Sequence, residues 1–126
     1  MIKDMAGKKT ARELGKWGED LAKSFLEEKG YQVIFQNVFT EYGEIDLVAK
    51  RNDQIHFVEV KTRRTKDFGN PEEAITQSKL GHMIESAEAF LQTHAEYEGS
   101  WQIDVLAIQV MTQDSSPEIR FFKNVS

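Results

Sequence analysis

Residues 43–64, with the sequence GEIDLVAKRNDQIHFVEVKTRR, contain the pattern that decides the fold. Two mostly apolar runs, 45–50 and 55–61, flank four turn-forming residues, and this arrangement predicts an antiparallel β-hairpin. Three charged residues interrupt the two strands: Asp46, Glu59 and Lys61. Acids and lysines are poor strand residues and are costly to bury. These three residues are therefore candidates for a functional site.

The rest of the chain predicts two helices and three further strands around this hairpin. Apolar residues at helical spacing predict an amphipathic helix over 10–29, capped by Thr10 and ended by Gly30. A polar loop at 62–70 precedes a second helix that is predicted to begin at Pro71. The other strands are predicted at 31–37, 101–110 and 118–124. The resulting order, αβββαβ(β), predicts an α/β fold with a central mixed sheet flanked by helices.

Length and composition narrow the class of protein. The 126 residues predict a single domain over 1–126, with 1–9 as a flexible basic tail. The absence of cysteine excludes disulfides, thiolate zinc sites and a cysteine nucleophile. No apolar run is long enough to span a membrane, and the N-terminus lacks the apolar region of a secretory signal. These features predict a cytoplasmic protein with no membrane partner.

The distribution of charge points to the same part of the chain as the strand pattern. The net charge of −5 argues against a polyanionic partner. However, most of the lysines and arginines lie in residues 1–66, which are net positive, whereas the rest of the chain is acidic. Acids that bind a cation also stop acting as free negative charge. Nucleic acid therefore remains a reasonable partner for the N-terminal half.

The charged strand residues suit a metal site. Side chains alternate across a strand, so Glu59 and Lys61 share one face, and Asp46 lies on the adjacent hairpin strand. Glu19, at the flank of the first helix, can reach the same place when that helix packs on the sheet. Carboxylates that converge in this way form an oxygen-ligand site for Mg²⁺ or Mn²⁺, with the carbonyl of Val60 as a further ligand.

A lysine beside such a metal site indicates hydrolysis of a phosphodiester. Lys61 can orient and help deprotonate a water molecule and stabilise the negative charge that develops during the reaction. The alternative is that Glu59 and Lys61 form an ion pair on a solvated strand, which contributes little. The central character of this strand and the third acid on the helix favour the catalytic interpretation.

Several motifs resemble the YraN family of uncharacterised bacterial proteins. The resemblance covers roughly Gly15 to Phe122 and rests on WGEDLA, GEIDLVA, FVEVKTR, FGNPEEAITQSK and IDVLAI. That family resembles a minimal restriction-endonuclease-like fold of the PD-(D/E)xK superfamily and is similar to archaeal Holliday junction resolvases. The resemblance implies an αβββαβ core, Mg²⁺ as cofactor, DNA as partner and a homodimer, because a junction presents two symmetric strands to cut.

The resemblance also implies roles for individual residues. Asp46 and Glu59 correspond to the metal-binding acids, Lys61 to the catalytic lysine and Glu19 to the first-helix acid of resolvase-like members. Gln77 and Lys79 correspond to the supporting polar residues that related nucleases have on the second helix. Two positions depart from the pattern. Ile45 stands where the superfamily motif has proline, and Gln102 stands where relatives often have an arginine, which puts one phosphate contact in doubt.

Other residues keep two interpretations at this stage. The basic loop after the third strand either holds phosphates or is merely solvated; its residues are Arg63, Arg64 and Lys66. Asp104, inside an apolar strand, either orients a functional group or pairs with a basic neighbour. Tyr42 and Phe68 either contact a base or pack ordinarily. Trp17 and Trp101 are interpreted as core residues, and His56 as a structural residue on the face away from Glu59.

The sequence thus predicts a metal-dependent DNA endonuclease or a nuclease-like DNA-processing protein that selects junction-like structures. The alternative is a non-catalytic nucleic-acid-binding module that keeps the nuclease fold. A third possibility is a protein-interaction domain, in which the acids could be lost without consequence.

Overall fold

The computed structural model describes residues 10–64, 75–110 and 116–126. Its elements are, in chain order, α1 (Ala11–Glu28), β1 (Gln32–Thr40), β2 (Gly43–Arg51), β3 (Gln54–Arg64), α2 (Gln77–Thr93), a short 3₁₀ helix (Ala95–Tyr97), β4 (Trp101–Val110) and β5 (Glu118–Phe122). The strands form one sheet in the order β1-β2-β3-β4-β5. Strands β3 and β4 are parallel, and the other neighbours are antiparallel. The predicted α/β class and the order αβββαβ(β) are confirmed.

Several boundaries differ from the sequence predictions. Strand β1 continues to Thr40, and β3 continues to Arg64, so β3 includes the first residues of the predicted polar loop. The predicted helix start at Pro71 is wrong for Ile75 and Thr76, which are not helical. Instead α2 begins after Thr76, whose side-chain oxygen accepts a hydrogen bond from the Lys79 amide at 3.1 Å and caps the helix. Residues 71–74 lie outside the described part of the chain.

The two helices cover opposite faces of the sheet. Helix α1 packs on a core that includes Leu26, Leu47 and Val58, and helix α2 packs on a second core that includes Phe57 and Phe90. Trp17 packs against the first core and Trp101 against the second, as interpreted from the sequence. Neither helix in the described ranges is long and apolar enough to cross a membrane.

The β2–β3 hairpin forms as predicted. Arg51 pairs with Gln54, which leaves a loop of two residues. Those two residues, Asn52 and Asp53, have φ values of 52° and 63°. Two consecutive positive φ values are typical of a type I′ turn, in which Asn and Asp are favoured because they tolerate this conformation. The turn therefore sets the register that brings β2 and β3 together.

Asp104 has a structural role at the start of β4. It is fully buried, and its Oδ2 lies 2.8 Å from His56 Nδ1. Its Oδ1 accepts hydrogen bonds from Gln102 Nε2 and from the Asn124 amide, each at 2.8 Å. Burial raises the pKa of Asp104, but these hydrogen bonds outweigh it and lower the pKa overall. Asp104 therefore pairs with a basic neighbour and anchors the C-terminal segment, and Gln102 donates to Asp104.

A close approach at Gly18 positions α1 on the sheet. Gly18 is buried against Thr62 of β3, and a Cβ at this position would overlap Thr62 Oγ1 and lie 2.9 Å from Thr62 Cβ. Only glycine therefore lets the helix backbone come this near to the strand. Because Glu19 is the next residue, the same contact places its carboxylate beside β2 and β3.

We expect Gly18→Ala to destabilise the protein by about 1–2 kcal/mol, because overpacking of a well-packed contact costs about 1–3 kcal/mol. Gly81→Ala is the matched control, since Gly81 also lies inside a helix but a Cβ added there would have no neighbouring atom within 4 Å. There alanine should stabilise by roughly 0.5–1 kcal/mol through helix propensity. Urea unfolding measures both, and equal effects at the two sites would contradict the close approach.

Candidate metal centre

Three carboxylates converge where α1 passes the start of β2. Glu19, Glu44 and Asp46 each offer an oxygen, and these oxygens lie within 4.8 Å of one another. Ligand oxygens sit roughly 2.0–2.6 Å from Mg²⁺ or Ca²⁺, so oxygens on opposite sides of one cation are about 4–5 Å apart. The spacing and the all-oxygen chemistry of this acidic cluster (Glu19, Glu44 and Asp46) therefore fit a hard divalent cation. Glu44 was not predicted from the sequence.

The amide of Asn37 holds two of these acids together. Its Nδ2 donates to Glu19 Oε1 at 2.9 Å and to Glu44 Oε2 at 2.7 Å. Asn37 lies within β1 with a φ of 50°, a left-handed conformation that asparagine tolerates better than most residues. Its neighbours in β1 pair with the neighbours of Asp46 in β2: Gln36 pairs with Leu47, and Val38 pairs with Ile45. Asn37 therefore lies opposite Asp46.

Asp46 is the buried member of the acidic cluster. It is only 9% exposed, and its Oδ2 accepts a hydrogen bond from the Val60 amide at 2.8 Å. Burial, followed by the charge of Glu59, raises the pKa of Asp46 from 3.8 to about 7, although the Val60 hydrogen bond opposes the shift. Glu19 and Glu44 raise it further. Burial and the neighbouring negative charges therefore both disfavour the ionised form of this carboxyl.

Glu59 and Lys61 form an ion pair beside the acidic cluster. Lys61 Nζ lies 3.0 Å from Glu59 Oε2, and the two side chains are only 15% and 22% exposed. Glu59 and Asp46 both line a cavity of about 380 Å³, together with Glu19 and Val60. The two strand acids therefore border one cavity, but in this arrangement Glu59 engages Lys61. The ion pair of the alternative interpretation is present, and it is largely shielded from solvent.

The predicted basic residues lie in two places. Arg63 and Arg64 line the same cavity as the acids, and Arg63 also donates to the Thr62 carbonyl at 2.9 Å. The Lys79 amine lies beside Lys61, whose hydrogen bond and charge lower the pKa of Lys79. Burial lowers the pKa of Lys61, but Lys79 and Glu59 outweigh burial and raise it overall.

The remaining predicted residues are less informative. Gln77 is exposed in the first turn of α2. Lys66 and Phe68 fall outside the described residues. The Val60 amide positions Asp46, and a role of the Val60 carbonyl as a metal ligand stays a prediction.

The raised pKa of Asp46 has a consequence for stability. Because the folded protein binds the proton more tightly than the unfolded chain, the stabilisation from Asp46 is full below about pH 4 and is lost as the pH rises to about 7. Asp46→Asn keeps a carbonyl oxygen for the Val60 amide but cannot ionise. Without divalent cations at pH 8 we expect this variant to be more stable than the parent by roughly 1–4 kcal/mol.

Chemical unfolding at pH 4.5 and pH 8 measures this difference, which should shrink towards the lower pH. Asp53→Asn is the control, because Asp53 is exposed in the β2–β3 turn and its positive φ suits asparagine equally well. A variant at position 46 that is less stable than the parent at pH 8 would show that Asp46 is a structural acid.

Comparison with known proteins gives a consistent result. Residues 18–108 match the family described as uncharacterised protein family UPF0102. A UPF0102 protein of Syntrophomonas wolfei is 43% identical over 90% of this chain and 96% of its own length. UPF0102 proteins of Caldicellulosiruptor saccharolyticus and Clostridium perfringens are 39% and 36% identical over 90% and 93% of this chain, and each is covered over 96% of its length.

The matched segment contains the whole acidic cluster, the Glu59–Lys61 pair, all of β3 and most of β4. The relatives match over nearly their full lengths, so the similarity extends well beyond the individual motifs. The chain therefore belongs to the UPF0102 family, the family that its YraN-like motifs indicated.

Proposed function

We propose that this protein is a metal-dependent DNA endonuclease that hydrolyses phosphodiester bonds. The observation that carries the proposal is the partly buried Glu59–Lys61 pair beside three further carboxylates, one of which, Asp46, has a pKa of about 7. Structural ion pairs also perturb pKa values, but three acids that line one cavity, with Glu44 close to two of them, bring strong like-charge repulsion. A divalent cation is the partner that would relieve this repulsion.

Four carboxylates are proposed to hold the cation. Glu19, Asp46 and Glu59 are the acids expected from the sequence, and Glu44 adds an oxygen that lies within reach of two of them. All four are hard oxygen ligands, which suit Mg²⁺ or Mn²⁺. A bound divalent cation would supply Lewis-acid polarisation of the phosphate and a lowered pKa for water in the site.

Lys61 is proposed to stabilise negative charge on the phosphate and not to bind the metal. Its ammonium group is held beside Glu59 and stays protonated, so it can donate a hydrogen bond to a phosphate oxygen or to water next to that carboxylate. Hydrolysis adds water across the P–O bond, and negative charge builds on the phosphate oxygens as the sugar oxygen leaves. A fixed cation next to those oxygens lowers the barrier more than it strengthens substrate binding.

The cavity also contains the basic residues needed to hold a polyanion. Arg63 and Arg64, the last two residues of β3, line it together with Glu59. Arginine binds phosphate oxygens with two parallel hydrogen bonds and without reading the bases. Selection of branched or junction-like DNA, a homodimer and a cytoplasmic location belong to this proposal as expectations from the sequence.

Lys61→Met separates the role of the lysine from that of the acids. We expect Mn²⁺ affinity to stay the same or rise slightly, because a positive charge near the cation is removed. Cleavage should fall by about 10²-fold or more, the rough scale for losing one electrostatic or acid–base group. Glu59→Ala should instead weaken Mn²⁺ binding and cleavage together.

Calorimetry with Mn²⁺ and single-turnover cleavage of duplex, single-stranded, flap and four-way junction DNA measure these effects. Lys16→Met is the control, since Lys16 forms an ion pair with Asp20 at 3.1 Å but lies on the exposed face of α1. If Lys61→Met cuts as fast as the parent, Lys61 is only the ion-pair partner of Glu59. Metal-independent DNA binding with no cleavage of any substrate would favour the non-catalytic binding module.

A further inference from the structure

Helix α1 contains two glycines, and they differ in what lies in front of them. Gly18 touches Thr62 of β3, so packing explains why it has no side chain. Gly15 lies one turn earlier in the same helix, and a Cβ added there would meet no atom of the described residues within 4 Å. Glycine inside a helix is unfavourable relative to alanine, because it loses more conformational freedom on folding. Packing within the described ranges therefore does not explain the glycine at position 15.

The open space in front of Gly15 belongs to the cavity that contains the proposed metal centre. This cavity of about 380 Å³ lies between the first half of α1 and the second half of β3, and the half-buried Gly15 is part of its lining. The contact between Gly18 and Thr62 fixes the distance between helix and strand next to it. The missing side chain at Gly15 therefore widens a cleft whose two walls are held in place.

Positive and negative side chains occupy different ends of this cleft. Gly18 touches Thr62, whereas Leu26, about two turns further along the helix, packs in the same core as Val58, which comes earlier in β3. Helix and strand therefore run in opposite directions along the cleft. The acids come after Gly18 in α1 and before Thr62 in β3, so they lie at one end. Gly15 lies towards the other end, where β3 finishes in two arginines.

A cleft of this kind suits a chain of phosphates better than a compact anion. Arg63 and Arg64 can hold one phosphate at the basic end, and a cation among the carboxylates would face the next phosphate at the acidic end. A strand that spans both ends must pass along the helix between them. Glycine is the residue that lets a ligand come close to the protein backbone.

Resting on the proposed nuclease function, we propose that the sugar–phosphate backbone of the DNA strand to be cut passes over Gly15, in van der Waals contact with the backbone of α1. The scissile phosphate lies at the acidic end, and a neighbouring phosphate of the same strand contacts Arg63 and Arg64. Gly15 is therefore a substrate-binding residue, because its lack of a side chain leaves room for the strand.

Larger residues at position 15 test this path. Gly15→Leu should weaken binding of a labelled duplex and a labelled four-way junction by roughly 5- to 100-fold, the effect of overpacking a close contact, and Gly15→Ala should weaken it less. Fluorescence anisotropy measures both in CaCl₂, since Ca²⁺ also takes oxygen ligands. Affinity for Mn²⁺, measured by calorimetry, should not change. Gly15→Ala should also raise the Tm by roughly 2–5 °C, because alanine favours the helix.

Gly81 provides the matched control. It is exposed inside α2, and a Cβ added there also meets no atom of the described residues within 4 Å. Gly81→Ala should raise the Tm by a similar amount, and both Gly81→Ala and Gly81→Leu should bind DNA like the parent. The two positions thus share the effect on the helix and differ only in the effect on DNA.

A crosslink gives a positive readout of the same path. The chain has no cysteine, so Ala11→Cys creates a single attachment point. Ala11 is exposed and lines the same cavity one turn before Gly15. An azidophenacyl group on this cysteine should crosslink bound DNA on irradiation, whereas the same group on Gly81→Cys should not.

Several outcomes would overturn the strand path. These are Gly15 variants that bind DNA like the parent, no crosslink from position 11 at saturating DNA, and a loss of Tm or of Mn²⁺ affinity in Gly15→Ala, which would show that the space serves the fold or the metal centre. Cleavage by the parent with no effect of the Gly15 variants would refute the strand path alone. Binding that depends on Gly15, with no cleavage of any substrate, would refute only the nuclease.

Discussion

The hydrogen bonds from the Asn37 amide to Glu19 and Glu44 hold together carboxylates that would otherwise repel one another. The two acids come from a helix and from a strand, so this single side chain links α1 to the sheet. It can do so because Gly18 lets α1 approach Thr62 closely and because Asn37 tolerates a positive φ within β1. The geometry of the proposed site follows from these local constraints.

The other two acids, Asp46 and Glu59, each have a hydrogen-bond or ion-pair partner that stabilises their negative charge. The Val60 amide donates to Asp46, and the Lys61 ammonium pairs with Glu59. The compensation is incomplete for Asp46, because burial and three neighbouring acids still raise its pKa to about 7. The pKa of Asp104, a structural carboxylate, is shifted in the opposite direction. Asp104 is fully buried, yet three hydrogen bonds lower its pKa. The candidate site therefore differs from the core in the direction in which the surroundings shift the pKa of a buried acid.

Strand periodicity and turn chemistry were enough to predict much of this arrangement. The pattern around residues 51–54 predicts the β2–β3 hairpin, and the charges at Asp46 and Glu59 point to the cavity that both residues line. Lys61 lies beside this cavity through its ion pair with Glu59. Side-chain alternation also placed His56 on the face away from Glu59, where it packs against Tyr31. These features depend on local sequence alone, and local sequence is where prediction is strongest.

Features that depend on tertiary contacts were missed. Glu44 reads as a polar residue at the edge of a turn, and its proximity to Glu19 arises only when α1 packs on the sheet. Asn37 carried a weak signal, since asparagine is unfavourable inside a strand, but its two partners cannot be identified from spacing. The start of α2 was misplaced because Pro71 and the acids after it look like a first turn, whereas Thr76 provides the cap. In such cases the start of a helix is decided by the residue that accepts hydrogen bonds from the free backbone amides of the first turn, and helix propensity has less influence.

Binding of a divalent cation by the acids around Asn37 is the property on which the proposed chemistry depends. Anomalous diffraction from crystals of the full chain soaked in MnCl₂ tests it, because Mn²⁺ is located independently of any activity. We expect one strong anomalous peak bounded by the carboxylates of Glu19, Glu44, Asp46 and Glu59. Crystals that show no peak there under saturating Mn²⁺, with the Asn37 amide still bridging Glu19 and Glu44, would contradict the proposed metal centre.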